Sequence, residues 1–172
     1  MSYQNSASVK PFSLSGLQVK ETIVMLSLAV LLPFLIHFLP AINAIPAGAY
    51  LIPIFFVALM ASFLFKLHVG LIMALLTPAV NYWLTGSPRP EAAVLLTLEL
   101  VVFVVAVSAL KNVKNVNYAA ALLAFAAAKA VSLAAVSLLI PSASIALTSA
   151  LTAIPGLVIL QALNIMLIRY KK

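Results

Sequence analysis

The sequence predicts an all-α integral membrane protein: a bundle of six transmembrane helices with both termini in the cytoplasm. Composition is the first reason, because 65% of the 172 residues are hydrophobic, only 8% are charged and the mean hydropathy is +1.22. Such values are typical of polytopic membrane proteins and leave no room for a separate soluble domain. The other two reasons are a series of long apolar segments and the distribution of lysine and arginine between the loops.

Each apolar segment is about as long as a helix that crosses a bilayer, since roughly 20 helical residues span a hydrocarbon core of about 30 Å. Barrel strands are the weaker interpretation, because they alternate apolar and polar residues. These segments are apolar throughout and rich in leucine and alanine, which favours helices. The predicted spans are Thr22–Leu39, Ala47–Phe65, Leu67–Leu84, Ala92–Leu110, Tyr118–Ile140 and Ile145–Ile168.

Loop charges predict the orientation, because short cytoplasmic loops collect lysine and arginine. Residues 1–20 are predicted to be a cytoplasmic segment, and residues 21–172 to form one transmembrane domain. Only Arg89 then falls in an outer loop, and the net charge of +7 needs no nucleic-acid partner. The basic residues assigned to the cytoplasmic side are Lys10, Lys20, Lys66, Lys111, Lys114, Arg169, Lys171 and Lys172.

Two opposite charges lie deep inside predicted spans. Glu99 is eight residues from Glu91, or about 12 Å of helical rise, and Lys129 is eleven residues from Ile140, or about 16 Å. A charge at the centre of a span costs at least ~3 kcal/mol, so such residues usually pair, face a cavity or carry function. We expect the two to meet in the outer half of the membrane. A purely structural ion pair is the alternative, although the desolvation of buried charges makes stability alone a weak reason for it.

Other polar side chains on the outer side extend this pair into a predicted ligand cavity. Ser132 follows Lys129 by one helical turn, and Thr148 and Thr152 share a face at i, i+4. Tyr82 and Trp83 either stack on a ligand or anchor the helix at the membrane interface. The predicted substrate-binding residues are Glu99, Lys129, Asn81, Tyr82, Trp83, Thr148, Thr152 and Ser132.

Enzymatic and metal-binding functions are disfavoured. The chain has no cysteine, and His37 and His68 lie at the edges of spans, where we expect no catalytic or metal-binding role. Gln161 and Asn164 are expected to bond to neighbouring helices. Because no Walker loop is present, any use of ATP requires a partner chain. We therefore predict no catalytic residues and no cofactor, and a transporter part or binding subunit.

The segment from His68 to Leu110 resembles the substrate-binding S-components of energy-coupling factor (ECF) type ABC transporters. The resemblance lies in Thr85-Gly86-Ser87-Pro88, which matches a short outer loop, and in Leu98-Glu99-Leu100, which matches an acidic element in the fourth helix. Length, six spans, inside termini and a basic C-terminal tail agree with that family. One departure is that the first span has no Ala-xxx-Ala motif of the kind used to dock on a coupling subunit. Small-xxx-small spacing occurs instead at Ala58/Ser62 and Gly70/Ala74.

The resemblance implies high-affinity capture of a small water-soluble micronutrient, a vitamin or vitamin precursor, in the inner (cytoplasmic) membrane of a prokaryote. It also implies a transmembrane coupling subunit and two ATPase subunits as partners, with toppling of this subunit in the lipid delivering the substrate inside. Lys129 would meet a carboxylate or phosphate and Glu99 an amine or a protonated ring nitrogen. Two alternatives stay open: a solitary proton-coupled secondary transporter, and a non-transporting membrane scaffold subunit.

Overall fold

The computed structural model describes residues 18–42, 45–139 and 151–170 of the chain, and these residues form a helical bundle. They contain no strand, apart from an isolated bridge between Ile42 and Ile45. Five helical stretches are long and apolar enough to cross a membrane, so the chain is by length and composition a multi-pass membrane protein. The helices are α1 (Val19–Ile36), α2 (Ala47–Leu51), α3 (Pro53–Leu64), α4 (Leu67–Thr85), α5 (Pro90–Leu110), α6 (Ala120–Leu139) and α7 (Ile154–Tyr170), and a 3-10 turn (Asn117–Ala119) precedes α6.

The first five predicted spans correspond to these stretches to within about one helical turn. The sixth, predicted over Ile145–Ile168, is described only from Leu151, and α7 is a shorter apolar helix of 17 residues. Most of the predicted N-terminal segment also lies outside the described residues. All-helical architecture is thus confirmed for the described part of the chain, together with five long apolar helical stretches.

The second predicted span is not one continuous helix. Ile52, between α2 and α3, has left-handed backbone angles of φ 44° and ψ 47°, which β-branched residues rarely adopt. Pro53 follows and has no N–H to continue the helical hydrogen bonds of α2. Gly156 of α7 packs on this break so closely that an added Cβ would lie 2.5 Å from Ile52 Cγ1. The sequence predicted one span from Ala47 to Phe65, and in the structure packing against α7 accompanies a full interruption within it.

Hydrogen bonds between helix ends show which ends of the helices lie together. The backbone N–H of Lys66 donates to Gln18 Oε1 at 3.1 Å and joins the start of α4 to the start of α1. The Lys111 ammonium, after the end of α5, donates to the carbonyl of Ser62 near the end of α3. We call this end of the bundle, which holds Gln18, Lys66 and Lys111, the basic end.

Two amide side chains attach α7 to the start of α6. Asn164 Nδ2 donates to the carbonyls of Asn117 and Tyr118 at 3.1 and 3.0 Å, and Gln161 Nε2 donates to the Tyr118 carbonyl at 2.6 Å. Asn164 is fully buried. These contacts confirm the expectation that both residues bond to neighbouring elements, and they attach α7 to the start of α6.

Small residues bring the central helices close together. α5 packs most extensively on α6 and α4. Alanines form the buried face of α6, and a Cβ added to Gly70 of α4 would lie 2.8 Å from Val104 Cγ1 of α5. Close approach of this kind is typical of helices that associate in lipid, where hydrophobic burial gives little driving force for association. The buried alanines of α6 are Ala120, Ala121, Ala124 and Ala128.

The two small-xxx-small pairs take part in helix packing inside the bundle. Ala58, Ser62, Gly70 and Ala74 are all buried. The Ser62 hydroxyl lies 3.6 Å from the position that a Cβ on Gly70 would occupy, so the two pairs face each other across α3 and α4. In this arrangement neither pair is exposed to a partner protein.

Candidate functional site

Glu99 and Lys129 form an ion pair inside the bundle. Lys129 Nζ lies 2.9 Å from Glu99 Oε1 and 2.8 Å from Oε2, so one ammonium donates to both carboxylate oxygens. The Glu99 side chain is 8% exposed and the Lys129 side chain 19%. At this burial each charge needs its partner, because an isolated ion in an apolar interior is costly. The pairing that the sequence suggested is therefore present.

One aromatic ring contacts the cation of this pair and belongs to a cluster of three. Lys129 Nζ lies 5.5 Å from the centre of the Phe125 ring, one turn earlier on α6. Phe125 in turn contacts Phe55 edge to face, and Phe55 contacts Phe103 in the same way, each with ring centres 5.1 Å apart. Ring faces attract cations, so Phe125 adds to the stabilisation of Lys129. The three rings also fix the wall of the site, because they link α3, α5 and α6.

The ion pair lines an open cavity of about 320 Å³ at the end of the bundle opposite the basic end. The cavity lies at this end because the residues that α1 and α4 contribute to its wall come from the C-terminal ends of both helices. Most of the surface is apolar, and polar groups are few. The lining residues are Pro33, Phe34, His37, Pro46, Gly48, Ala49, Ile52, Pro53, Ile54, Phe55, Asn81, Thr85, Ser87, Pro88, Leu96, Glu99, Lys129 and Thr152.

The break between α2 and α3 forms one side of this cavity. Gly48, Ala49, Ile52 and Pro53 all line it. Because Pro53 has no N–H, the Ala49 carbonyl lacks the partner that a continuous helix would supply. Irregular backbone at membrane depth is tolerated where it is buried in protein or borders a cavity, and this interruption satisfies that condition.

The turn after α4 is held by one hydroxyl group. Thr85 Oγ1 donates to the Asn81 carbonyl at 2.8 Å, lies 3.0 Å from the Ser87 carbonyl and accepts the Ser87 N–H at 3.2 Å. Gly86 ends α4 with φ 69°, a conformation that favours glycine. Thr85 and Gly86, singled out in the sequence for a family resemblance, thus have a local role in shaping the mouth of the cavity.

The structure brings four of the eight predicted binding residues to the cavity: Glu99, Lys129, Asn81 and Thr152. Ser132 is buried but does not line the cavity. Tyr82 and Trp83 are exposed, Trp83 to 84%, and do not line it either, because the helical twist of α4 turns them away from Asn81. The interfacial-anchor alternative suits their exposure. Thr148 lies outside the described residues.

Several lining residues were missed as ligand contacts. Phe34 and His37 come from the last turn of α1, and Thr85 and Ser87 from the turn after α4. His37 was placed at the edge of the first span, and its Nδ1 lies 2.8 Å from the Pro33 carbonyl. Proline was a partial signal, because Pro33, Pro46, Pro53 and Pro88 all line the cavity. Prolines kink or end helices, and Pro53 follows the break between α2 and α3.

Comparisons with known proteins add no relative: no protein-family model, no curated protein and no solved structure matches this chain.

Proposed function

We propose that this chain is a membrane-embedded, high-affinity binding subunit for a small water-soluble micronutrient, a vitamin or vitamin precursor. The observation that carries the proposal is the Glu99–Lys129 pair on the wall of an open cavity. The cavity volume of about 320 Å³ lies within the ~300–1,000 Å³ range of small-molecule sites. A pair that served only to hold helices together would need no such cavity beside it.

The broken helix beside the pair supports the same proposal. Transporters often bind substrate where interrupted helices expose backbone groups to a central site. In this chain the α2–α3 break, the carboxylate of Glu99 and the ammonium of Lys129 border one cavity. Backbone carbonyls and two opposite charges together suit a ligand with both a donor and an acceptor group.

The pair itself suggests a ligand head that carries both charges. Glu99 and Lys129 neutralise each other, so neither charge is left alone. A carboxylate or phosphate on a ligand can bind Lys129 in place of Glu99, and an amine or protonated ring nitrogen on the same ligand can bind Glu99 in place of Lys129. Phe34 and Phe55, rather than Tyr82 and Trp83, are placed to contact a flat ring.

The proposed orientation puts the cavity on the outer side of the prokaryotic cytoplasmic membrane and both termini inside. The basic end holds Lys66 and Lys111, which the positive-inside rule assigns to the cytoplasm. The cavity lies at the opposite end and would therefore open outward. Capture from outside is the direction that uptake requires.

Uptake would need partners, since the sequence contains no Walker loop. In keeping with the resemblance to ECF S-components, we propose a transmembrane coupling subunit with two ATPase subunits. Docking would use a surface other than Ala58/Ser62 and Gly70/Ala74, because these residues are buried within the bundle. We propose no enzymatic activity for the chain itself.

The first test is mass spectrometry of small molecules released from the folded, gently purified protein, with a detergent-only control. We expect a stoichiometric polar compound from the wild-type protein. The control variant Glu91→Gln should release the same compound, because Glu91 is exposed at the start of α5. We expect none from Glu99→Gln. Equal recovery from Glu99→Gln and wild type would overturn the proposed site.

Uptake assays separate the two alternatives. A solitary proton-coupled transporter would lose pH-driven uptake in Glu99→Gln without any need for ATPase subunits. A scaffold subunit would release no ligand and would lose only stability in the same variant. Recovery of ATPase subunits with the purified protein would favour the binding-subunit proposal over both.

A further inference from the structure

Asn81 places a buried amide on the wall of the ion-pair cavity. It shares the inner face of α4 with Thr77 and Pro78, which precede it by four and three residues and are also buried. Asn81 is only 7% exposed, and it lines the cavity together with Glu99 and Lys129. Neither atom of its amide is fully enclosed by protein, so the surface that stays accessible faces the cavity.

The Asn81 amide has no hydrogen-bond partner among the residues that the structure describes. The Thr85 hydroxyl donates to the main-chain carbonyl of Asn81 and not to its side chain. The two amides of α7 differ, because Gln161 and Asn164 each donate to main-chain carbonyls of another element. Buried polar side chains normally have a partner, so the Asn81 amide is placed to bond to a molecule in the cavity.

Helical rise puts the Asn81 amide nearer the mouth of the cavity than the ion pair. A short turn joins the end of α4 to the start of α5, so Thr85 and Pro90 lie at the same end of the bundle. Asn81 precedes Thr85 by four residues, or about 6 Å of rise. Glu99 follows Pro90 by nine residues, or about 13 Å. The two depths therefore differ by about 7 Å.

We infer that the ligand of this cavity carries an amide-type edge, with one N–H beside one carbonyl oxygen, which pairs with the Asn81 side chain about 7 Å from the charged head at Glu99 and Lys129. This inference rests on the proposed function and specifies its substrate class. Carboxamides, ureido groups, lactams and the amide edges of heteroaromatic rings have this pattern. Leu96 lines the cavity between the two depths, so an apolar link between the polar groups suits the space.

The chemistry of an asparagine side chain selects this class of ligand. Its amide donates through nitrogen and accepts through oxygen, and a complementary donor and acceptor satisfy both atoms at once. A ligand displaces water from the cavity, so one that lacks either group leaves an atom of the Asn81 amide without a bond. Sites that hydrogen-bond a substrate group strongly reject analogues without that group.

Mass spectrometry of small molecules released from the full chain tests the inference. We expect the compound from the wild-type protein to contain an amide-type edge. Asn81→Leu should release less than about a tenth of the wild-type amount, because the loss of two hydrogen bonds weakens binding at least about tenfold. Tyr82→Leu is the matched control, since Tyr82 is 41% exposed on the same helix and does not line the cavity. It should release the wild-type amount.

The stability of the ligand-free variants separates a ligand contact from a structural one. Once the released compound has been removed, Asn81→Leu should have a melting temperature no lower than that of the wild-type protein, because no bond within the protein is lost. Asn164→Leu is the comparison, and its melting temperature should fall, because Asn164 bonds to two main-chain carbonyls. An equal fall in both variants would overturn the inference, since the Asn81 amide would then pair within the protein.

The outcomes distinguish this inference from the proposed function. Equal release from Asn81→Leu and wild type, with none from Glu99→Gln, would overturn the amide-type edge and leave the binding subunit standing. A wild-type compound without such an edge would have the same consequence. Release of no compound from the wild-type protein would overturn the proposed function and the inference together.

Discussion

At the scale of single residues, hydrogen bonds and an ion pair tie polar side chains to neighbouring helices. Glu99 is bound by Lys129 through both carboxylate oxygens, and Asn164 donates to two main-chain carbonyls. Such contacts matter in an apolar interior because the cost of an unpaired polar group exceeds the net gain from the bond. Removal of one partner should therefore cost more than removal of both.

We expect Glu99→Gln and Lys129→Met each to lower the free energy of unfolding by ~3 kcal/mol, since each leaves a buried group without its partner. The double variant removes both charges and should be less destabilised than either single variant. Unfolding in micelles of increasing SDS content, analysed as a double-mutant cycle, measures the coupling. Additive effects of the two substitutions would contradict an energetically important pair.

Asn164→Leu should destabilise the protein by ~1–3 kcal/mol, because the two hydrogen bonds from the buried Asn164 amide to the Asn117 and Tyr118 carbonyls would be lost. Gln161→Leu is the comparison, since it removes one bond from a less buried position. We expect a smaller loss for it in the same unfolding assay. A larger loss for Gln161→Leu would show that the attachment of α7 depends on Gln161 instead.

At the scale of elements, the interruption between α2 and α3 shapes the site. Pro53 has no N–H to donate to the Ala49 carbonyl, so irregular backbone borders the cavity at this point. The break is held from outside by Gly156 of α7, where a Cβ would lie 2.5 Å from Ile52 Cγ1 and 2.7 Å from the Leu51 carbonyl oxygen. α7 therefore supports the cavity through a residue that does not line it.

Gly156→Ala is expected to lower stability by ~1–3 kcal/mol, as overpacking of a tight contact does, and to weaken ligand binding. Gly48→Ala is the control for stability only, because it lines the cavity and the nearest atom to its added Cβ is Ile36 Cγ2 at 4.0 Å. Thermal unfolding compares the two variants, and ligand release compares Gly156→Ala with wild type. Equal stability of both would mean that the break tolerates displacement of α7.

At the scale of the whole molecule, the charges divide the bundle into two unlike ends. Lys66 and Lys111 lie at the basic end, and the cavity with its acidic and basic pair lies at the other. With the basic end in the cytoplasm, as proposed, the short loops would follow the positive-inside rule. The proposed direction of capture depends on this division of charge.

Cysteine labelling tests the orientation, and the absence of natural cysteines makes the background low. We expect a membrane-impermeant maleimide added outside intact cells to label Arg89→Cys and to leave Lys114→Cys unlabelled, since both positions are exposed and lie in loops at opposite ends. Labelling of Lys114→Cys should appear only after the cells are opened. The reverse pattern would mean that the cavity faces the cytoplasm.

The sequence alone determined the all-helical membrane class and the approximate bounds of five long helical stretches, because hydropathy and helical rise act locally along the chain. It also pointed to Glu99 and Lys129, since charges are rare and costly inside apolar segments. Tertiary structure decided the rest: the break at Ile52, the exclusion of Tyr82 and Trp83 from the cavity, and the contribution of Phe34 and His37 to its wall. These features depend on how helices distant in sequence are rotated and packed against one another, which no single segment encodes.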